Sequence, residues 1–355
     1  MITKFKLPLV GALFAIVSVT LVILGNPGNM GLCVACFLRD TAGALGLHSA
    51  AAVQYARPEV IGLVLGTLIV SLITREFAPK GGSAPITRFA LGACVMIGAL
   101  IFLGCPTRMV LRIAGGDLNA IVGLFGFVAG IFGGMFFLNK GFSLKRTYAI
   151  AKTDGVALPF MSILLLLALI FFPVFLNFSE SGPGAARAPL FIALAAGLVM
   201  GGVGFISRLC FVAGIRDSVF FKNFSMLSAF VALLVVALIG NLIFGQFNLG
   251  FADQPVAHTD GLWNFLGLGL VGFGSVLLGG CPFRQVILAG SGNSDSVAAV
   301  FGMIFGAALA HNLGLASSAA GVSDNGPMGF VIAAVVVLAI AVYNTFFNKK
   351  RRESA

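Results

Sequence analysis

Gly279-Gly280-Cys281-Pro282-Phe283-Arg284 follows directly on an apolar run, Leu262 to Leu278, long enough to cross a bilayer. A chain leaving such a run usually reaches water through polar residues. Here it turns on two glycines, presents a thiol and places proline where a new helix begins. Proline suits the first helical position, whose N–H the helix does not use. Cys281 is then expected at the N-cap, beside unpaired backbone N–H groups and the positive end of the helix dipole, a setting that attracts anions. Arg284 adds a fixed positive charge one turn on. By itself the segment also reads as a tight turn with an incidental cysteine. Its recurrence elsewhere in the chain separates the two readings.

The composition sets the class. The 355 residues are 59% hydrophobic and only 10% charged, where a soluble globular protein carries about 25% charged residues. The fold class expected is an all-α polytopic membrane protein. Ten stretches have the length and apolarity of spans, at about 7–25, 58–75, 86–104, 119–138, 158–178, 189–206, 224–245, 262–279, 297–315 and 328–347. Met1 to Lys6 followed by an apolar run imitates a signal peptide. No small-x-small cleavage site follows, so it reads as an uncleaved first span. Four shorter, glycine-rich segments with cysteine and arginine lie between the spans, at about 29–47, 104–116, 207–221 and 279–292. Their length and charge fit re-entrant helices.

Of the 22 basic residues, six lie inside the short segments; of the other 16, all but Arg57 and Arg187 fall on one side of an even-numbered set of spans. That side carries Lys4, Lys6, Arg75, Lys80, Arg88, Lys140, Lys145, Arg146, Lys152, Lys222 and the tail Lys349 to Arg352. The positive-inside rule makes it cytoplasmic, with both termini. The net charge of +10 is thus spread over several loops and a tail, which argues against nucleic acid as a partner and leaves membrane lipid.

Two motifs repeat. Cys33, Arg39 and Asp40 recur as Cys210, Arg216 and Asp217 at an offset of 177, and Cys105-Pro106-Thr107-Arg108 recurs as Cys281-Pro282-Phe283-Arg284 at an offset of 176. The chain therefore divides into two repeats, 1–178 and 179–355, each with five spans and two Cys-containing re-entrant segments. Five is odd, so the second repeat is inverted relative to the first, a plan that places a site between broken helices near the midplane. Cys33 and Cys105 are expected to dip in from the outer face, and Cys210 and Cys281 from the inner one, along a common path.

Ionisable groups at membrane depth are costly and mark function. Arg39–Asp40 and Arg216–Asp217 also read as ion pairs that merely hold the re-entrant turns, whereas Arg108 and Arg284 have no acidic neighbour in sequence and suit an anion. Thiols hydrogen-bond weakly, so a row of them with helix N-termini and arginine suits loose, repeated binding of a small anion containing sulfur or selenium. Cys33-x-x-Cys36 resembles a redox or metal pair, but Ala213 replaces the second cysteine in the other repeat and no further ligands complete a site. Neither a metal nor a cofactor is expected. Cys94 reads as core, and His48, His258 and His311 as isolated. The spacings Gly126/Gly130/Gly134 and Gly302/Gly306 read as helix packing.

The Gly-Cys-Pro-x-Arg segments at 104–108 and 280–284, with the Leu-Cys-to-Arg-Asp segments at 32–40 and 209–217, resemble the YeeE/YedE sulfur-transport family of bacterial inner-membrane proteins. The N-terminal Cys-x-x-Cys looks closest to the YedE branch, labelled for selenium metabolism. The resemblance implies uptake of thiosulfate or a related sulfur or selenium anion, relayed through Cys33, Cys105, Cys210 and Cys281, with Arg108 and Arg284 on the path. Cys36, Arg39, Asp40, Arg216, Asp217, Pro106 and Pro282 support it. It also implies a separate, cytosolic TusA-like sulfur carrier as a possible partner. Catalytic residues are not expected. The alternative is a membrane-embedded sulfur or selenium transferase that forms a cysteine persulfide, which the lack of a general base near any motif disfavours.

Overall fold

The computed structural model describes residues 6–347. Fifteen α-helices run in the order α1 (Leu7–Ile23), α2 (Val34–Ala44), α3 (Pro58–Ile73), α4 (Pro85–Phe102), α5 (Pro106–Ala114), α6 (Leu118–Asn139), α7 (Lys152–Gly155), α8 (Ala157–Phe171), α9 (Leu190–Ser207), α10 (Phe211–Phe220), α11 (Ser225–Ile243), α12 (Gly261–Leu278), α13 (Pro282–Gly290), α14 (Ser294–Asn312) and α15 (Gly326–Val342). A two-residue antiparallel pair, β1 (Lys80–Gly81) with β2 (Tyr148–Ala149), joins two loops. The chain is an all-α polytopic membrane protein. Among the described residues, eight helical stretches are long and apolar enough to cross a membrane; α1 and α8 are apolar but shorter. Large apolar side chains such as Phe125, Phe191 and Val331 stand exposed on the outside, the surface hydrocarbon solvates at no cost.

Each of the ten apolar stretches coincides with a helix, and each short segment contains one of α2, α5, α10 and α13. Three of the long stretches are bent pairs, α4–α5, α9–α10 and α12–α13. The break is made by a residue in the left-handed region: Leu103 (φ 64°), Arg208 (φ 55°) and Gly279 (φ 81°). That conformation ends a helix by turning its last carbonyls away, and it is uncommon for a side chain such as leucine. Gly31 (φ 44°) stands ahead of α2 at the place corresponding to Arg208, and Leu103 corresponds to Gly279.

The packing is interleaved. α6 lies along α12 and α14 along α4; α3 lies along α9 and α11 along α1; α4 and α12 meet at the centre. Exchanging the halves of the chain carries α6–α12 onto α14–α4 and α3–α9 onto α11–α1, and leaves α4–α12 as itself. α8 and α15 depart from that exchange, since α8 lies against α3 while α15 lies against α4 and α12. The glycine spacings sit in these seams as expected: a Cβ on Gly126 or Gly130 would overlap a backbone carbonyl of α12, and one on Gly302 or Gly306 a carbonyl of α4. Close backbone approach is how helices gain packing energy where lipid removes the hydrophobic drive.

Loop contacts define two faces. On one, Arg57 reaches the carbonyls of Pro183 and Ala186, Asn248 N–H bonds Gly115, and Asn312 bonds Leu47. On the other, Lys80 N–H bonds Gly292, and Ser83 bonds Asp295 and Leu144. α2 and α5 end at the first face and α10 and α13 at the second, their N-termini directed inward. Arg75, Lys80, Arg88, Lys140, Lys145, Arg146, Lys152 and Lys222 belong to the second face. Lys4, Lys349, Lys350, Arg351 and Arg352 lie outside the described residues.

Candidate functional site

Four cysteines stand at the N-cap positions of four helices, and of these Cys33 accepts a capping hydrogen bond, from the Cys36 N–H. Cys33, Cys105, Cys210 and Cys281 are the N-cap residues of α2, α5, α10 and α13, all in extended backbone, with Pro106 and Pro282 at the start of α5 and α13. The Gly-Gly-Cys-Pro order thus does at Cys281 what its chemistry predicts. All four thiols are buried, none more than 6% exposed.

The thiols gather in two clusters. In the first, Cys33 Sγ lies 2.8 Å from Cys36 Sγ and 3.7 Å from Cys105 Sγ, and it accepts from the backbone N–H of Cys36 at 3.4 Å. Cys105 Sγ lies near the backbone of Ala35 and Arg108 and near the Thr107 side chain, whose hydroxyl is buried without a hydrogen-bond partner. Arg108, wholly buried, donates to Cys36 Sγ at 3.7 Å. It also donates to the carbonyls of Leu103, Asn29 (3.3 Å), Pro255 (3.1 Å) and Val256 (3.2 Å). Its charge therefore meets oxygens and a sulfur, with no carboxylate among these partners.

In the second cluster, the Cys210 and Cys281 thiols lie close enough to interact through their side chains. Cys210 also lies near the backbone of Ala213 and Cys281, and Cys281 near that of Phe211 and Arg284. The Arg284 side chain lies close enough to act electrostatically on both thiols, and its Nη1 is buried without a hydrogen-bond partner. An unsatisfied buried donor is expensive unless something accepts from it. Each cluster thus combines thiols, three in the first and two in the second, with two helix N-termini and an arginine.

The supporting charges are ion pairs. Asp40 is held by Arg39 at 2.6 Å and by Arg57 at 2.8 Å, all three wholly or nearly buried. Arg57, read from the sequence as an outer-loop charge, is in fact an inward strut with Tyr55 and Phe37 rings near its guanidinium. Arg216 and Asp217 pair at 2.7 Å but remain partly exposed. The sequence reading missed a further buried pair, Arg112 with Asp117 at 2.6 Å, in which Arg112 also caps the Phe102 carbonyl at 2.7 Å and stacks over its ring. Asp117 is the N-cap of α6, and an aspartate just before an apolar run is a signal that finds it.

The histidines require a correction. His48 and His311 are not isolated: their rings lie 4.6 Å apart, because the loop after α2 meets the end of α14. His258 bonds the Ile101 carbonyl at 2.7 Å and is a satisfied structural histidine. Cys94 is buried in α4 apart from the thiol clusters. A cavity of about 390 Å³ between α2, α3, α8, α13 and α14 is lined by residues such as Leu38, Val64, Leu165 and Val286 and contains no cysteine. Its chemistry does not suit an anion.

Residues 206–352 match the family model described as Sulphur transport. The match begins at the end of α9 and takes in α10 to α15, with Cys210, Cys281 and Arg284. No curated protein matches the chain.

Proposed function

We propose that this protein is an inner-membrane transporter or channel for a small sulfur-containing anion of the thiosulfate type. The observation that carries the reading is the pair of thiol clusters, each built from two cysteine-capped helix N-termini and an arginine whose hydrogen-bond partners include no carboxylate. Helix N-termini and the guanidinium attract the anion, and weak S–H donors hold it loosely enough to release it. Conduction needs that balance of favourable binding and easy departure. The sulphur transport match over the second half supports the substrate class, and the helical architecture supports passage through a membrane.

In this reading the chain is two inverted repeats, 1–178 and 179–355, with ten spans and four re-entrant helices. The interleaved helix pairs and the recurring left-handed breaks support that division. The anion passes Cys33 and Cys105, then Cys210 and Cys281, with Arg108 and Arg284 lending charge. The face rich in lysine and arginine is cytoplasmic, together with both termini. A selenium anion is an alternative cargo, and a separate TusA-like carrier is a possible recipient in the cytosol.

Radiolabelled thiosulfate offered to proteoliposomes tests the proposal, with sulfite, selenite and sulfate as competitors. Saturable uptake that thiosulfate and its close analogues compete for is expected. Absence of uptake by correctly inserted protein, or equal competition by sulfate, overturns the substrate assignment. A persulfide trapped on Cys281 during turnover assigns the protein to sulfur transfer instead.

A further inference from the structure

The first thiol cluster holds one sulfur more than the second. Cys36 Sγ approaches Cys33 Sγ to 2.8 Å, while Ala213 stands in the corresponding place beside Cys210. Cys33 caps α2 and Cys36 is its third residue, so a single helical turn holds both on one side. A disulfide bond needs about 2.05 Å between sulfurs and a Cα separation of roughly 4.4–6.8 Å, so the two can join without moving one helix against another. Cys105, 3.7 Å from Cys33, belongs to a different helix, and Arg108 donates to Cys36. Cys36 is therefore a sulfur adjacent to the relay that its counterpart in the other half lacks.

We infer that Cys33 and Cys36 form a reversible disulfide that stops transport, a redox site present in the first half alone. Its effect on uptake rests on the transport reading; the bond itself does not. The oxidant is a small peroxide able to follow the anion to buried sulfurs. One thiol sulfur attacks a peroxide oxygen, the O–O bond breaks, a sulfenic acid forms and the other oxygen leaves as water. The second sulfur then displaces the sulfenic oxygen as a second water. Two thiols and one hydrogen peroxide give one disulfide and two waters, with two electrons passing from sulfur to oxygen. Cys33 then offers no S–H either to Cys105 or to an anion. A dithiol reductant reverses the bond by exchange.

The full-length protein in liposomes is treated with hydrogen peroxide, denatured, alkylated and mapped by peptide mass spectrometry. Cys33 and Cys36 are expected to resist alkylation together and to recover after dithiothreitol, while Cys105, Cys210 and Cys281 alkylate throughout. Free Cys33 and Cys36, or a Cys33–Cys105 bond in their place, overturns the disulfide. In parallel, the ratio of treated to untreated thiosulfate uptake is expected to fall about tenfold in the wild type and to return with dithiothreitol. That ratio stays near one in Cys36→Ala, or in Cys36→Ser where the alanine variant does not insert, whatever the absolute rate. A mapped disulfide with unchanged uptake overturns the switch. If untreated protein moves no thiosulfate, the transport reading and the switching role both fail, and the alkylation map still decides the bond.

Discussion

The two thiol clusters are built on the same plan and finished differently. In the first, Arg108 has every direction taken, by four carbonyls and the Cys36 sulfur, and Asp40 is clamped between two buried arginines. In the second, Arg284 keeps a buried donor without a partner, and the Arg216–Asp217 pair is partly open to its surroundings. The comparison teaches that one arginine has become structural while its counterpart retains an unused hydrogen bond. The first cluster is a braced frame and the second keeps a free donor, which under the proposed function is offered to the anion.

The largest contrast expected lies in stability. Asp40→Asn strips the charge that balances Arg39 and Arg57 in a buried setting and is expected to cost about 3–5 kcal/mol. Asp217→Asn breaks a partly exposed pair and costs at most about 1 kcal/mol. Thermal unfolding of the two variants in detergent measures both, and equal losses remove the distinction between a braced and an open cluster. Next, Cys105→Ala and Cys281→Ala are each expected to reduce thiosulfate uptake to background while the protein still inserts. Normal uptake by either variant breaks the idea that the anion must pass both clusters.

A smaller effect separates the arginines. Arg284→Ala is expected to raise the half-saturating thiosulfate concentration about tenfold, roughly 1.4 kcal/mol, with little change in melting temperature. Arg108→Ala is expected to lower the melting temperature, because it orphans the carbonyls that Arg108 ties together. Identical behaviour of the two would show that Arg284 is as structural as its counterpart. The smallest change belongs to Cys94→Ala, away from both clusters, whose uptake should match the wild type in the same assay.

Much of the framework was legible because its causes are local. Apolar length marked the helices, and Gly279-Gly280 with Pro282 marked the break and the cap at Cys281. The ion pairs Arg39–Asp40 and Arg216–Asp217 were legible as neighbours in sequence. Arg57 was not: nothing around it signals that Asp40, 17 residues earlier, holds two guanidinium groups. His48 and His311 are separated by most of the chain, and only the meeting of α14 with the loop after α2 brings their rings together. Cys36 was read as a possible pair with Cys33, yet its contact with Arg108, 72 residues away, has no local trace.

The sequence by itself determined that this is a bundle of membrane helices, where those helices break and which residues cap the breaks. Hydropathy, backbone sterics and end-capping act over a few residues, so a linear reading captures them. Only the tertiary structure decided that Cys33 meets Cys36 and Cys105, that Cys210 meets Cys281, and which arginine keeps a donor unspent. Those outcomes depend on how helices far apart in the chain lie against one another. Thiol contacts and hydrogen bonds act over a few ångströms, a range that sequence separation does not measure.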